Sequence, residues 1–98
     1  MARDYEWYER RDSAYVLDIC KDKWHDLDAE YIALSYKAQT EEERRLWMEA
    51  SIRLEEQFHG LPLDQKDQYI AAMKRWDDER DRILAAIEAG DANIRPLL

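Results

Sequence analysis

The chain has 98 residues, enough for one domain with a single hydrophobic core, and its 23 acidic and 15 basic side chains give a net charge of −8. This acidic balance argues against direct binding of nucleic acid, which requires clustered Lys and Arg. The single cysteine, Cys20, allows no intrachain disulfide, and no apolar run approaches the ~20 residues of a membrane span. We therefore expect a cytoplasmic protein that does not contact a membrane.

Helix-forming residues dominate the composition. Only two glycines and two prolines occur, whereas Ala, Leu, Glu, Lys, Gln, Arg and Met are frequent and lose little on entering a helix. No segment alternates polar and apolar residues over the length of a strand. The sequence therefore predicts an all-α fold, a three- to four-helix antiparallel bundle with a long first helix, formed by residues 1–98 as a single helical domain.

The first predicted helix extends over residues 3–39, where no helix breaker occurs. Apolar residues recur there at alternating spacings of three and four. They are Leu17, Cys20, Trp24, Leu27, Tyr31, Leu34 and Ala38. Asp12 interrupts the pattern upstream, so residues 1–15 are either the start of one long helix or a separate helical arm. Asp26 or Asp28 marks a second possible break.

The segment 28–38 is apolar on nearly every side. Ala29, Ile32 and Tyr36 form a second stripe beside the first. Two shorter helices leave part of such a surface uncovered, and self-association would cover it. Arg80 lies in the apolar stripe of the last helix, where its charge needs either an exit to solvent or an acid across an interface. We therefore predict a homodimer with an interface at Ala29, Ile32, Tyr36 and Arg80.

A second helix is predicted to begin at Thr40, which forms a capping box with Glu43. Gly60 is predicted to end it in a left-handed conformation. The expected buried face comprises Leu46 or Trp47, Ala50, Leu54 and Phe58.

Asp64 is predicted to cap a third helix over residues 65–89, which Gly90 closes. The stripe of this helix comprises Tyr69, Met73, Trp76, Arg80, Ile83 and Ile87, with Ile70 and Leu84 on its flank. The C-terminal tail, residues 91–98, is expected either to dock as a short extended segment or to fray.

Two carboxylate and histidine pairs have the spacing of metal ligands. Asp22 precedes His25 by three residues, and Glu56 precedes His59 by three. This spacing places both side chains on one helix face and is typical of iron ligands in ferritin-like bundles. Solvated or helix-capping histidines are the alternative, because His59 falls on the last turn of its helix. No cofactor is predicted.

Catalytic motifs are missing from the sequence. It contains no GxSxG motif, no glycine-rich phosphate loop and no HExxH motif. Cys20 lies within the apolar stripe, where we expect a buried thiol rather than a nucleophile. The sequence therefore favours a protein that is not an enzyme.

The N-terminal segment DYEWYERR combines aromatic and charged residues. Tyr, Trp and Arg are the residue types that dominate binding hot spots. We therefore predict that Tyr5, Trp7, Tyr8 and Arg11 contact a protein partner. The alternative is that they cover one end of the bundle within the same chain.

A small acidic helical bundle with exposed aromatic residues is typical of a protein that occludes or bridges a larger partner, and its negative surface complements the basic grooves of nucleic-acid-handling machines. In size and charge, the chain resembles phage-encoded inhibitors of host nucleases, including anti-CRISPR proteins. That resemblance implies a small viral inhibitor of the anti-defence kind whose partner is a protein. The alternatives are a ferritin-like metal-binding oxidase or store formed by dimerisation, and a structural assembly component.

Overall fold

The computed structural model of the protein describes residues 5–97, which form four helices and, over this range, no strand. The helices are α1 (Glu6–Glu9), α2 (Ser13–Lys37), α3 (Glu41–His59) and α4 (Lys66–Glu88). α2 packs along both α3 and α4, and α1 packs on α4. The predicted all-α bundle is confirmed, and its long helix is the 25-residue α2. Residues 1–4 and 98, which belong to the predicted N-terminal arm and C-terminal tail, lie outside the described residues.

The chain leaves the helical conformation between α1 and α2, where Asp12 has an extended backbone. Lys66 of α4 stabilises this turn, because its Nζ donates to the carbonyl oxygens of Glu9 (2.6 Å) and Arg11 (2.9 Å). The N-terminal part of the chain therefore forms two separate helical segments rather than one long helix.

α2 continues without interruption through Asp26 and Asp28, so the second possible break does not occur. The Asp28 carboxylate accepts a hydrogen bond from the Ser51 hydroxyl of α3 instead of capping a new helix. Leu27 precedes this position and Tyr31 follows it, and both are buried on one face of α2. Packing on that face favours a continuous helix over the local capping preference of aspartate.

The core lies where α2 faces α3 and α4. The predicted α3 face is confirmed, since Trp47, Ala50 and Leu54 are buried. α3 and α4 meet through large side chains, including a ring contact of 6.4 Å between Phe58 and Trp76. The buried apolar residues are Val16, Cys20, Leu27, Tyr31, Trp47, Ala50, Leu54, Tyr69, Ile70, Ala72, Met73, Trp76 and Ile83.

The Thr40 cap at the start of α3 is confirmed, whereas the reciprocal bond of the predicted capping box goes to Gln39 instead of Thr40. Thr40 Oγ1 accepts from the backbone N–H of Glu43 (3.1 Å), and the Glu43 carboxylate accepts from the backbone N–H of Gln39 (3.2 Å). One helix-terminal donor, the N–H of Glu43, is thereby satisfied, and the bond to Gln39 holds the residue that precedes the cap.

The connection between α3 and α4 differs from its prediction at two positions. Gly60 is right-handed (φ −84°) rather than left-handed, because its N–H bonds the Glu56 carbonyl and continues the helical pattern. The left-handed residue is Asp64 (φ 55°), a residue type that tolerates this conformation. Gln65, and not Asp64, occupies the N-cap of α4.

Gly90 closes α4 as predicted, with a left-handed φ of 73°. Its N–H bonds the Ile87 carbonyl (3.1 Å), and the next N–H, of Asp91, bonds the Ala86 carbonyl (2.9 Å). This pair of bonds is a Schellman motif, which satisfies carbonyl groups at the end of the helix.

The C-terminal tail docks on the bundle through the buried carboxylate of Glu79. Both carboxylate oxygens bond Arg82 (2.6 and 2.9 Å), and Oε2 also accepts from the Tyr31 hydroxyl (3.0 Å) and the Leu97 backbone N–H (2.8 Å). Arg82 in turn donates to the Arg95 carbonyl (2.5 Å). One acid therefore links α2, α4 and the tail, and docking rather than fraying is observed.

Burial and the neighbouring Glu79 raise the pKa of the Tyr31 hydroxyl above its ordinary range. The folded state therefore favours the protonated hydroxyl, which donates the bond to Glu79. Because the unfolded chain ionises first, this contribution to stability is present below the unfolded pKa of about 10 and declines as the pH rises above it.

Glu79→Ala should lower the free energy of unfolding by about 3 kcal/mol, the low end for breaking a buried ion pair, because Arg82 remains partly solvated. The measurement is urea denaturation followed by circular dichroism. Glu88→Ala, an exposed change on the same helix, is the matched control and should shift stability by less than about 0.5 kcal/mol. Equal stability of the two variants would contradict the role assigned to Glu79.

Candidate protein-binding site

Tyr5 docks the short helix α1 onto α4. Its hydroxyl donates to Asp77 Oδ2 (2.6 Å), and Lys23 of α2 pairs with the other carboxylate oxygen (3.2 Å). Tyr8 is also partly buried against the core. Two of the four residues predicted to contact a partner therefore cover the bundle within their own chain.

Trp7 and Arg11, the other two predicted contact residues, lie on the surface. The Arg11 guanidinium carbon is 3.9 Å from the Trp7 ring centroid, in a cation–π arrangement. Tyr15 of α2 packs edge-on against Trp7 at 5.8 Å between centroids. Trp7 is 37% exposed and Tyr15 44%. We call these three residues the N-terminal aromatic cluster.

An acidic stripe continues from this cluster along α2. Asp18, Asp22 and Asp26 follow Tyr15 at spacings of three and four, which place all four residues on one helix face. All four are exposed. The surface thus joins a stacked aromatic and arginine group to a row of carboxylates.

The residues predicted to form a dimer interface divide into two groups. Ala29, Ile32 and Tyr36 are exposed on α2, and Tyr36 is 81% accessible. Arg80 instead pairs with Glu30 of α2 at 3.3 Å. Its charge is matched within the chain, so the reason for placing Arg80 at an interface no longer applies.

Two of the four predicted metal ligands, His25 and His59, lie beside Trp24, near the C-terminal end of α3, and the other two, Asp22 and Glu56, are exposed. The rings of His25 and His59 contact the Trp24 ring at 4.5 and 5.4 Å between centroids. His59 also faces Glu55 of its own helix at 3.8 Å. In the part of the chain that the structure describes, no three His, Cys, Asp or Glu side chains are grouped to hold a metal ion.

Cys20 is fully buried in the core, as expected. Burial raises the pKa of its thiol to about 12, partly offset by the charge of Arg75. The thiol is therefore protonated at neutral pH, and the thiolate, which is the nucleophilic form, is strongly disfavoured.

Three further exposed residues are not among the predicted contact residues: Tyr15 on α2, and Met48 and Ile52 on α3. Met48 is 45% and Ile52 53% exposed. Their spacing of four places them on one helix face, separate from the buried face that contains Trp47 and Leu54. The four-residue spacing of Met48 and Ile52 is the sequence feature that indicates a second apolar face on α3.

Comparison of the chain with known protein families, curated proteins and solved structures finds no significant match. Over residues 5–97, none of the helices combines the length and the apolar composition needed to span a membrane.

Tyr5→Phe should loosen α1, because it removes a hydrogen bond to a buried carboxylate that contributes about 1.5 kcal/mol. Trypsin cleavage after Arg10 and Arg11, which requires local opening, should then be roughly tenfold faster. Cleavage is followed by mass spectrometry. Tyr8→Phe leaves the bond between Tyr5 and Asp77 intact and should cleave as the parent does. An unchanged rate in Tyr5→Phe would show that this bond does not hold α1.

Proposed function

We propose that this protein is a small non-enzymatic binding protein that attaches to a larger protein through the N-terminal aromatic cluster and the adjoining acidic stripe. The observation that carries the proposal is the exposure of Trp7 although Arg11 and Tyr15 hold it in place. A large aromatic side chain that is already positioned loses little conformational freedom on binding. Trp, Tyr and Arg are also the residues enriched in hot spots.

The packing around the cluster supports a role in binding rather than in folding alone. Tyr5 and Tyr8 already cover the core beneath α1, and Trp7 is partly exposed beside them. A partner would place an apolar pocket over the indole and bury it more completely.

The acidic stripe defines the chemistry expected beside that pocket. Asp18, Asp22 and Asp26 favour a partner whose pocket is bordered by Lys and Arg, because complementary charge speeds association and selects the partner. Proteins that handle nucleic acid carry such basic surfaces. An inhibitor of a nucleic-acid-handling machine, of the phage anti-defence kind, therefore matches the size, charge and surface of this chain.

The test is affinity capture of the partner from cells of the source organism, followed by binding measurements on the purified pair. Trp7→Ala should weaken binding roughly 30-fold, the effect of losing a hot-spot residue of about 2 kcal/mol.

Binding of the parent should also weaken as salt concentration rises, because the acidic stripe contributes through charge.

Leu63→Ala is the matched control for the loss of an exposed apolar side chain. Leu63 is in the turn between α3 and α4 and is the most exposed large apolar side chain in the described range. It should bind as the parent does. If Trp7→Ala retains the full affinity of the parent, the proposed contact surface is wrong.

A further inference from the structure

The exposed face of α3 has an apolar centre. Met48 and Ile52 lie two residues before and two residues after Ala50, and both are about half exposed. Ala50 itself points into the core. The pair is therefore arranged symmetrically about the level of Ala50 on the solvent side of the helix.

Charged residues extend this symmetry in both directions, with opposite signs. Arg44 and Arg45 lie six and five residues before Ala50, whereas Glu55 and Glu56 lie five and six residues after it. All four are exposed. Helical spacing places them on the same broad face as Met48 and Ile52. If the helix is reversed about the level of Ala50, the two arginines take the positions of the two glutamates, and Met48 takes the position of Ile52.

We propose that a second copy of this chain docks on this face, with the two α3 helices antiparallel about a two-fold axis level with Ala50. In that arrangement Met48 of one copy lies against Ile52 of the other. Arg44 of each copy then lies beside Glu55 of the other, and Arg45 beside Glu56, because each of these pairs lies on the same side of the seam between the helices. A two-fold interface must be complementary to itself, and this helix face meets that requirement.

α2 adds further apolar surface beside the same centre. The bond between Asp28 and Ser51 and the ring contact of 5.7 Å between Tyr31 and Trp47 fix the register of α2 against α3. Ile32, one turn beyond Asp28, therefore lies level with Met48. Ile32 is exposed, and the second copy would cover it together with the centre of the α3 face.

The stability of α3 itself does not account for its charge pattern. Glu55 and Glu56 lie near the carbonyl end of the helix, where acidic side chains are unfavourable. Arg44 and Glu55 do make exposed contacts within α3, to Glu41 (2.6 Å) and His59 (3.8 Å). Such exposed pairs are weak and are easily exchanged for pairs with another copy.

This interface is separate from the N-terminal aromatic cluster and does not depend on the proposed function. The dimer is built from α3 and the neighbouring part of α2, whereas Trp7 and Arg11 belong to α1 and its following turn. Loss of dimerisation and loss of partner binding can therefore be measured in different variants.

The experiment uses charge reversal on the full chain. One variant carries Arg44→Glu and Arg45→Glu, a second carries Glu55→Arg and Glu56→Arg, and a third carries all four substitutions. Each reversal moves charge in the direction that the helix dipole favours, so the variants should fold. Circular dichroism checks this, and sedimentation velocity over a range of concentrations measures association.

The parent should form a reversible dimer. Each double variant should dimerise at least about tenfold more weakly, because like charges then face each other at both ends of the interface. The variant with all four substitutions has the composition of the parent in these positions and should dimerise again. An equimolar mixture of the two double variants should form a heterodimer.

A monomeric parent, or double variants that dimerise as well as the parent, would overturn the proposal. So would a failure of the variant with all four substitutions to recover association, or a failure of the mixed double variants to pair. A higher oligomer that does not respond to these substitutions would also contradict a closed two-fold interface on α3.

Discussion

The structure depends on how α2 is covered. This helix carries apolar side chains around much of its circumference, and residues 5–97 contain two other long helices to pack against it. α3 and α4 both pack on α2, and the resulting core buries Leu27 and Tyr31 completely. The side of α2 turned away from that core keeps Ile32 and Tyr36 exposed. Apolar surface therefore remains on the outside of a molecule that is otherwise strongly acidic.

Two buried carboxylates of α4 form hydrogen bonds with the segments before and after the three long helices, which are α1 and the C-terminal tail. Asp77 accepts from Tyr5 and holds α1, whereas Glu79 accepts from Leu97 and holds the tail. Each acid is also paired with a cation, Lys23 or Arg82, which offsets part of the cost of burying the charge. α4 thus contributes both apolar side chains to the core and the two carboxylates that bond the terminal segments.

Local and periodic features could be predicted from the sequence. The stripe through Cys20, Leu27 and Tyr31 follows from helical spacing alone, and the Thr40 cap follows from two residue types three positions apart. Gly90 was also predictable, because a glycine after an apolar periodic segment commonly closes a helix. These features depend on residues close together in the sequence.

Features that depend on distant residues could not be predicted. The pairing of Arg80 with Glu30, and the four hydrogen bonds of Glu79, join residues whose proximity is set by the packing of separate helices. Local preference favours Gly60 as the left-handed residue of the α3–α4 turn, whereas the chain adopts that conformation at Asp64. Local preference does not determine where a chain must reverse. In the candidate binding site, residue type alone indicates Trp7 and Arg11, whereas Tyr15 can be found only from its ring contact with Trp7 across the turn between α1 and α2.

The exposed apolar residues of α2 and α3 are the basis of the proposed association with a second copy. One measurement tests that association directly. Oxidation of methionines by dilute hydrogen peroxide, followed by mass spectrometry, reports the accessibility of Met48, with buried Met73 as an internal reference. The account predicts that oxidation of Met48 slows as protein concentration rises, whereas Met73 stays protected throughout. Oxidation of Met48 at the same rate at every concentration would contradict it.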